Sequence, residues 1–227
     1  MLIQIPDIFT KSQAKKIRDK IESELWVDGN VTAGLQSAQA KHNKQLPEDS
    51  TLAQELGELI LSKLGANSLF LSAALPQFIF PPLFNRYDVG DSFGIHVDNA
   101  IRPLKNSLHR IRTDLSMTLF LTEPEDYEGG ELEIETQFGA QTVKLEAGSA
   151  ILYPSTSLHK VNKITKGSRI SSFFWMQSMV RDEGERAILF DFDQSIQRLA
   201  QNLGHKNEEV IRLTGIYHNM VRRWAEV

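Results

Sequence analysis

Between about Phe78 and Val180 the chain alternates apolar and polar residues, and turn residues interrupt the alternation every few positions. No other feature narrows the fold as much. Leu115, Met117, Leu119 and Leu121 alternate with Ser116, Thr118 and Phe120; Leu132 and Ile134 alternate with Glu131, Glu133 and Glu135 directly after Gly129-Gly130. Successive side chains of a strand point to opposite faces, so a period of two marks a strand with two different sides. Segments at 142–145, 150–153, 158–164 and 169–176 add further short strands, set apart by Gly139, Gly148, Pro154 and Gly167. Many short strands at this turn density predict a sandwich, jelly roll or barrel.

On both sides of this region the period becomes helical. Thr10 and Gln13 have the spacing of a capping box, and Ala14, Ile17, Ile21 and Leu25 follow at helical intervals. A polar, irregular stretch runs from Gly29 to Asp49. Leu52, Leu56, Leu59, Ile60 and Leu64 then predict a helix over about 51–64, capped by Asp49 or Ser50 and ended at Gly65. Beyond Met179, a stripe of Ile188 or Leu189, Phe192, Ile196, Leu199 and Leu203 stops at Gly204. A second runs through Val210, Leu213, Tyr217, Met220, Val221 and Trp224. These two predict an antiparallel helical pair, which either completes the core or forms a homodimer contact. The expected organisation is α+β: a helical region at 1–77, a β core at 78–180 and a helical appendage at 181–227.

Composition removes several chemistries. The chain has no cysteine, which excludes disulfides, thiolate metal sites and cysteine nucleophiles. A net charge of −4 gives no electrostatic case for nucleic acid. No apolar run approaches the roughly 18 residues that span a bilayer, and the segment Met1 to Pro6 lacks the basic leader and apolar stretch of a signal peptide. The expectation is a cytoplasmic enzyme with neither nucleic-acid nor membrane partners.

The chemistry-bearing residues lie inside the β region. His96-x-Asp98 puts an imidazole and a carboxylate on one face of a strand, with Val97 packing on the other. His159 belongs to a separate strand and closes a third vertex if the sheet folds back. Two imidazoles and one carboxylate form the facial triad of non-haem Fe(II), with positions left for a co-substrate and oxygen. His-x-Asp alone is a weak signal; the order, the strand placement and Arg169 ten residues past His159 make the set specific. Alternation puts Arg169 on one face with Ser171, Phe173 and Trp175. An inward-facing guanidinium needs a carboxylate partner, and 2-oxoglutarate supplies one. The other reading of Arg169 is a rim residue paired with a glutamate. His42, His109, His205 and His218 lie in polar contexts and are read as solvated. The segment 102–112, with Arg102, Lys105, His109, Arg110 and Arg112, is read as a solvated loop; recognition of an acidic substrate is the second reading. Phe84, Asn85 and Arg86 are candidates for lining a pocket.

The segment Tyr87-Asp-Val-Gly90-Asp-Ser-Phe93-Gly-Ile-His96-Val-Asp98 resembles the Tyr-x-x-Gly-x-x-Phe/Tyr-x-x-His-x-Asp signature of the prolyl-hydroxylase branch of Fe(II)/2-oxoglutarate oxygenases. The run from Gly148 to Val161, continued by Arg169 to Arg181, is similar to the bacterial PKHD-type hydroxylases, a group that includes proteins linked to iron uptake. The resemblance covers essentially the whole chain. It implies a double-stranded β-helix (jelly-roll) core, with His96, Asp98 and His159 on Fe(II) and Arg169 on the distal carboxylate of 2-oxoglutarate. Tyr87 is then a candidate hydroxyl donor to the co-substrate, with a core tyrosine as its other reading. Implied chemistry is hydroxylation of an unidentified peptidyl or small-molecule substrate by O2, coupled to decarboxylation of 2-oxoglutarate to succinate and CO2. L-ascorbate is implied as the agent that keeps iron reduced. Halogenating relatives lack the carboxylate of the triad, so Asp98 favours hydroxylation. An iron- and 2-oxoglutarate-binding sensor of the same fold is the rival expectation.

Overall fold

The structure, a computed structural model, describes residues 1–32, 39–105 and 107–227. Its strands form two main antiparallel sheets and two small two-stranded ones. In the larger, the order is Ile3–Ile5, Ala150–Pro154, Leu115–Phe120, Arg169–Ser178, Leu83–Tyr87, Lys44–Gln45 and Val27–Asp28; Pro76–Ile79 also pairs with Arg169–Ser178. In the smaller, Gly139–Val143 is followed by Leu132–Thr136, His159–Val161, Ser92–His96 and Lys41–His42. From Leu115 onward the chain crosses back and forth between the sheets, which is the winding of a double-stranded β-helix. The inner faces meet through Tyr87, Phe120, Ile151 and Tyr153 on one side and Leu132, Ile134, Val143 and Val161 on the other.

Central strands are buried on both faces, for two reasons. Leu115, Met117, Leu119, Ile170, Phe174 and Met176 point outward into a core shared with the N-terminal helices. Ser116, Thr118, Arg169, Phe173 and Trp175 point inward and line a cleft between the sheets. Period-two alternation thus separates the core from the site.

Three helices cover the outer face of the larger sheet: α1 (Lys11–Glu22), α2 (Thr51–Gly65) and α3 (Ser68–Ala74). The capping box of α1 is complete, with Thr10 accepting from the Gln13 amide and Gln13 accepting from the Thr10 amide. Ala14, Ile17 and Ile21 are buried as the spacing predicts, but α1 stops at Glu22 and Leu25 lies beyond it, 77% exposed. Ser50 caps α2. Its stripe buries Leu56, Ile60 and Leu64, with Ala53 and Gly57 beside them, while Leu59 turns outward. No periodic stripe marks α3, which is seven residues long and is held by burial of Phe70, Ala73 and Ala74. Within the stretch read as irregular, Lys41–His42 and Lys44–Gln45 each extend one sheet; residues 33–38 of it lie outside the described residues. Gly148, at φ +95°, lets the chain turn against the Phe9 backbone, whose amide donates to the Gly148 carbonyl at 3.1 Å.

The C-terminal pair is α4 (Glu183–Leu203) and α5 (Glu208–Trp224), capped by Asp182 and Asn207. Gly204, at φ +83°, follows the end of α4. Leu189 packs with Leu75 and Val180 of the body and against Tyr217, Met220, Val221 and Trp224 of α5. This seam is narrower than the predicted stripe: Ile188 and Leu203 stay more than half exposed, since among the described residues α4 packs mainly along α3 and α5. Among the described residues no helix is long and apolar enough to cross a membrane.

Candidate active site

The smaller sheet brings the two histidines together. Its strands Ser92–His96 and His159–Val161 run antiparallel with His96 opposite His159, and a register shift follows His159. The rings lie with centroids 4.2 Å apart. The first strand ends at His96, so Asp98 sits just past it rather than on it, and Val97 is half exposed rather than packed behind. Leaving the strand turns the chain toward the larger sheet, where Ser116 donates to Asp98 Oδ2 at 2.6 Å and shares a 2.7 Å hydrogen bond with Ser155. Asp98 Oδ2 and His159 Nε2 are 3.7 Å apart. One ligand atom from each of His96, Asp98 and His159 lies within 4.8 Å of the others, so the three can hold a metal ion.

Hydrogen bonding sets both rings in the state a metal needs. His96 Nδ1 lies 2.8 Å from the Gly94 carbonyl and His159 Nδ1 lies 3.0 Å from the Ser157 carbonyl. A carbonyl only accepts, so Nδ1 carries a proton in each and Nε2 is the nitrogen turned toward the metal position. Burial, reinforced by the neighbouring His159, pushes the His96 pKa down to about 4, so this ring is neutral at physiological pH. The Phe93 ring stacks on His96 at 3.5 Å between centroids. Two imidazoles and one aimed carboxylate are a donor set suited to Fe(II).

Arg169 begins the last strand of the larger sheet opposite Tyr87 and is only 2% exposed. Among the described residues it donates to the Ser171 hydroxyl at 2.9 Å, which in turn donates to Asn85 at 2.6 Å, and the Tyr127 hydroxyl is a further polar neighbour. Tyr87 and Phe120 offer ring faces to the guanidinium at 5.4 and 5.1 Å. Its Nε is buried without a hydrogen-bond partner. A buried guanidinium that lacks a carboxylate is costly, and an unsatisfied N–H beside it fits an anion entering the cleft. Tyr87 is buried next to it, and desolvation raises its pKa to about 12, so its hydroxyl stays a donor.

The cleft holds all the predicted site residues: Tyr87, His96, Asp98, His159 and Arg169. Asn85 lines it, while Phe84 turns into the outer core. His42, His109, His205 and His218 are exposed, as read from the sequence. The 102–112 segment is a β-hairpin, Ile101–Pro103 with Arg110–Arg112, not a loose loop; its residue 106 lies outside the described residues. Arg102 enters the cleft against Trp175, at 4.2 Å from the ring centroid. Sequence reading missed Ser116, Ser155 and Lys41, which also belong to the site or its supports. Only the inward half of the alternation at 115–120 could have pointed to Ser116.

The comparisons agree with this geometry. Residues 82–177 match the 2OG-Fe(II) oxygenase superfamily, and residues 183–226 match the PKHD-type hydroxylase C-terminal domain. A PKHD-type hydroxylase of Bordetella pertussis is 58% identical over 228 residues, covering all of both chains. The chain belongs to the PKHD-type hydroxylase family. PKHD-type hydroxylase PiuC of Pseudomonas aeruginosa is 55% identical, again over the full length of both. Among solved structures the chain is similar to a Pseudomonas putida prolyl-4-hydroxylase (TM-score 0.53, 17% identity, 78% of this chain and 92% of that one). It is also similar to a Trichoplax adhaerens prolyl hydroxylase in complex with a hypoxia inducible factor peptide fragment (TM-score 0.54, 15% identity, 82% and 86%). These two likenesses concern the fold. As a family member the protein is an Fe(II)- and 2-oxoglutarate-dependent dioxygenase that acts as a hydroxylase. Related oxygenases act on peptide or small-molecule substrates.

Proposed function

We propose that His96, Asp98 and His159 hold the iron and that Arg169, assisted by Tyr87, binds the distal carboxylate of 2-oxoglutarate. One observation carries the reading: three ligand atoms within 4.8 Å of one another share a cleft with a buried arginine that has an unsatisfied Nε. Bound iron supplies the activation of O2, coupled to decarboxylation of 2-oxoglutarate, that makes hydroxylation of an unactivated carbon accessible.

The protein supplies geometry and exclusion of water. Gly94 and Ser157 carbonyls fix the tautomer and tilt of the two rings. Ser116, itself held by Ser155, aims the Asp98 carboxylate. Arg169 presents N–H donors from a wall that cannot shift, since its neighbours on the strand, Ile170 and Ser171, are fully buried. It thereby fixes the direction in which a dicarboxylate lies. The Tyr87 hydroxyl adds a donor beside it. Leu132, Tyr153, Phe173 and Trp175 give the cleft apolar walls.

Three finer assignments belong to the same proposal. Ascorbate keeps the iron reduced between turnovers. The enzyme works in the cytoplasm, where a reducing environment suits Fe(II). Copies associate through the C-terminal helices, where Ile188, Leu203 and Ile211 are all more than half exposed; sedimentation of an Ile188→Glu/Ile211→Glu variant as the same species as the parent would refute that contact.

The site assignment is tested by replacing His96 or Asp98 with Ala and measuring succinate formed from 2-oxoglutarate under air. Both variants are expected to lose turnover while keeping the parent's circular dichroism. Parent-level succinate formation in either would remove that residue from the ligand set.

A further inference from the structure

Two neighbouring polar groups are sealed from solvent without a hydrogen-bond partner among the described residues: Arg169 Nε and the Tyr127 hydroxyl. Tyr127 is only 2% exposed. A buried hydroxyl that gives up water and gains no partner costs free energy. Phenylalanine would fill the same space without that cost, so packing alone gives no reason for the oxygen.

The fold fixes this ring beside Arg169. Tyr127–Glu128 pairs with Lys166–Gly167, the short strand that leads into Arg169, with Tyr127 opposite Gly167. The Tyr127 carbonyl accepts from Lys144 Nζ at 2.9 Å, and that ammonium lies 4.0 Å from the ring centroid. The ring packs in the inner core with Tyr87 and Phe120, the two residues whose rings face the Arg169 guanidinium. Gly130 marks how close the approach is. A Cβ there would lie 3.0 Å from Tyr127 Cε2 and 3.2 Å from Arg169 Cδ, so the hydroxyl end of the ring and the arginine stem converge on one glycine.

Burial raises the pKa of the Tyr127 hydroxyl, and the nearby Arg169 charge offsets this only in part, so the group is a neutral donor facing a cation. Its oxygen could accept from the guanidinium, yet Arg169 Nε makes no such bond. Each group therefore has a proton in need of an acceptor, and the arginine charge favours an anion. Glu131 is the carboxylate of the protein that bears on Tyr127, but its bond is to Asn162, at 3.5 Å. A carboxylate from outside has two oxygens and about four lone-pair directions, enough to receive both donors at once.

We propose that Tyr127 is a further co-substrate-binding residue, whose hydroxyl donates to the far carboxylate of 2-oxoglutarate alongside Arg169 Nε. This rests on the site assignment above and adds to it a donor from a different part of the chain. It also gives the oxygen its reason: the hydroxyl is unsatisfied in the protein alone because its partner belongs to the ligand.

The test compares the full-length parent with Tyr127→Phe, which keeps the ring against Gly130 and removes only the oxygen. Both are loaded with Fe(II) under anaerobic conditions and titrated with 2-oxoglutarate, following the visible charge-transfer band. The variant should need about tenfold more 2-oxoglutarate, as one hydrogen bond to a charged group predicts. Its Fe(II) affinity without co-substrate, measured by chelator competition, should equal the parent's. Its thermal unfolding without co-substrate should be no lower than the parent's, since an unsatisfied group has been removed. An unchanged 2-oxoglutarate requirement overturns the proposal. So does an equal loss of Fe(II) affinity, which would make the effect a general disturbance of the site. An unfolding temperature well below the parent's overturns it as well, by giving the hydroxyl a structural role. A band in the parent with the same requirement in the variant rejects Tyr127 alone; no band in the iron-loaded parent rejects the site assignment beneath it.

Discussion

Ser116→Ala separates a ligand's presence from its aim. Ser116 is buried, donates to Asp98 Oδ2 at 2.6 Å, and is braced by Ser155 at 2.7 Å. A hydrogen bond to a charged acceptor is worth about 1.5–3 kcal/mol. Most of that does not reach metal affinity, because the bond already exists in the metal-free protein. What transfers is the cost of ordering a freed Asp98 when metal binds, about 0.5–1.5 kcal/mol for one side chain. The expected loss is therefore roughly twofold to twelvefold in Fe(II) affinity, at the low end of the range seen for residues that orient metal ligands. Anaerobic competition against a calibrated chelator measures it, with thermal unfolding of both proteins as a control. Unchanged affinity would refute the claim that Ser116 aims Asp98. A loss beyond about a hundredfold in folded protein would mean that the hydroxyl does more than orient.

Three further predictions follow from single contacts. His96 is held near pKa 4 in the folded protein against about 6.5 in the unfolded chain, so the unfolded chain binds more protons between these values and metal-free stability falls as pH drops. Between pH 8 and pH 5 the loss from this one ring is about 2 kcal/mol; denaturant midpoints of parent and His96→Asn should converge toward pH 5, and parallel profiles would contradict the burial argument. Gly148→Ala places a Cβ 2.0 Å from the Phe9 carbonyl oxygen at a φ of +95°, and should cost at least about 2 kcal/mol; an unchanged unfolding temperature would contradict it. Tyr87→Phe keeps the buried ring and removes the hydroxyl, so weaker 2-oxoglutarate binding by about tenfold is expected if that hydroxyl serves the co-substrate; equal binding would make Tyr87 a core residue.

The parts of this protein that were legible in its sequence are those fixed by local rules. Alternation at 115–121 located a central strand, and His96-x-Asp98 named two residues of the site, although Asp98 lies just past its strand rather than on its face. The Thr10–Gln13 box marked where α1 begins. Its end was not legible, because Leu25 continues the helical period and nothing local says that the backbone turns at Ser23. The two-residue strands Lys41–His42 and Lys44–Gln45 have no periodicity to read. They exist because Phe93, Ser92, Arg86 and Asn85 offer ladder partners far along the chain. The same holds for Lys41 and Arg102: a lysine and an arginine in polar segments read as solvated until the fold sets them against Phe173 and Trp175. Exposed apolar positions on α4 show the converse, since a stripe predicts a face but not how much of it a neighbour covers.

The central claim is that one cleft holds Fe(II) on His96, Asp98 and His159 and 2-oxoglutarate on Arg169. It is tested most directly by anaerobic titration of parent and Arg169→Ala with Fe(II) and 2-oxoglutarate, following the visible metal-to-ligand charge-transfer band. The band should form in the parent and should need far more 2-oxoglutarate in the variant, by roughly a hundredfold for loss of a buried charge pair. Absence of the band in folded, iron-loaded parent, or the same 2-oxoglutarate requirement in both proteins, would contradict it.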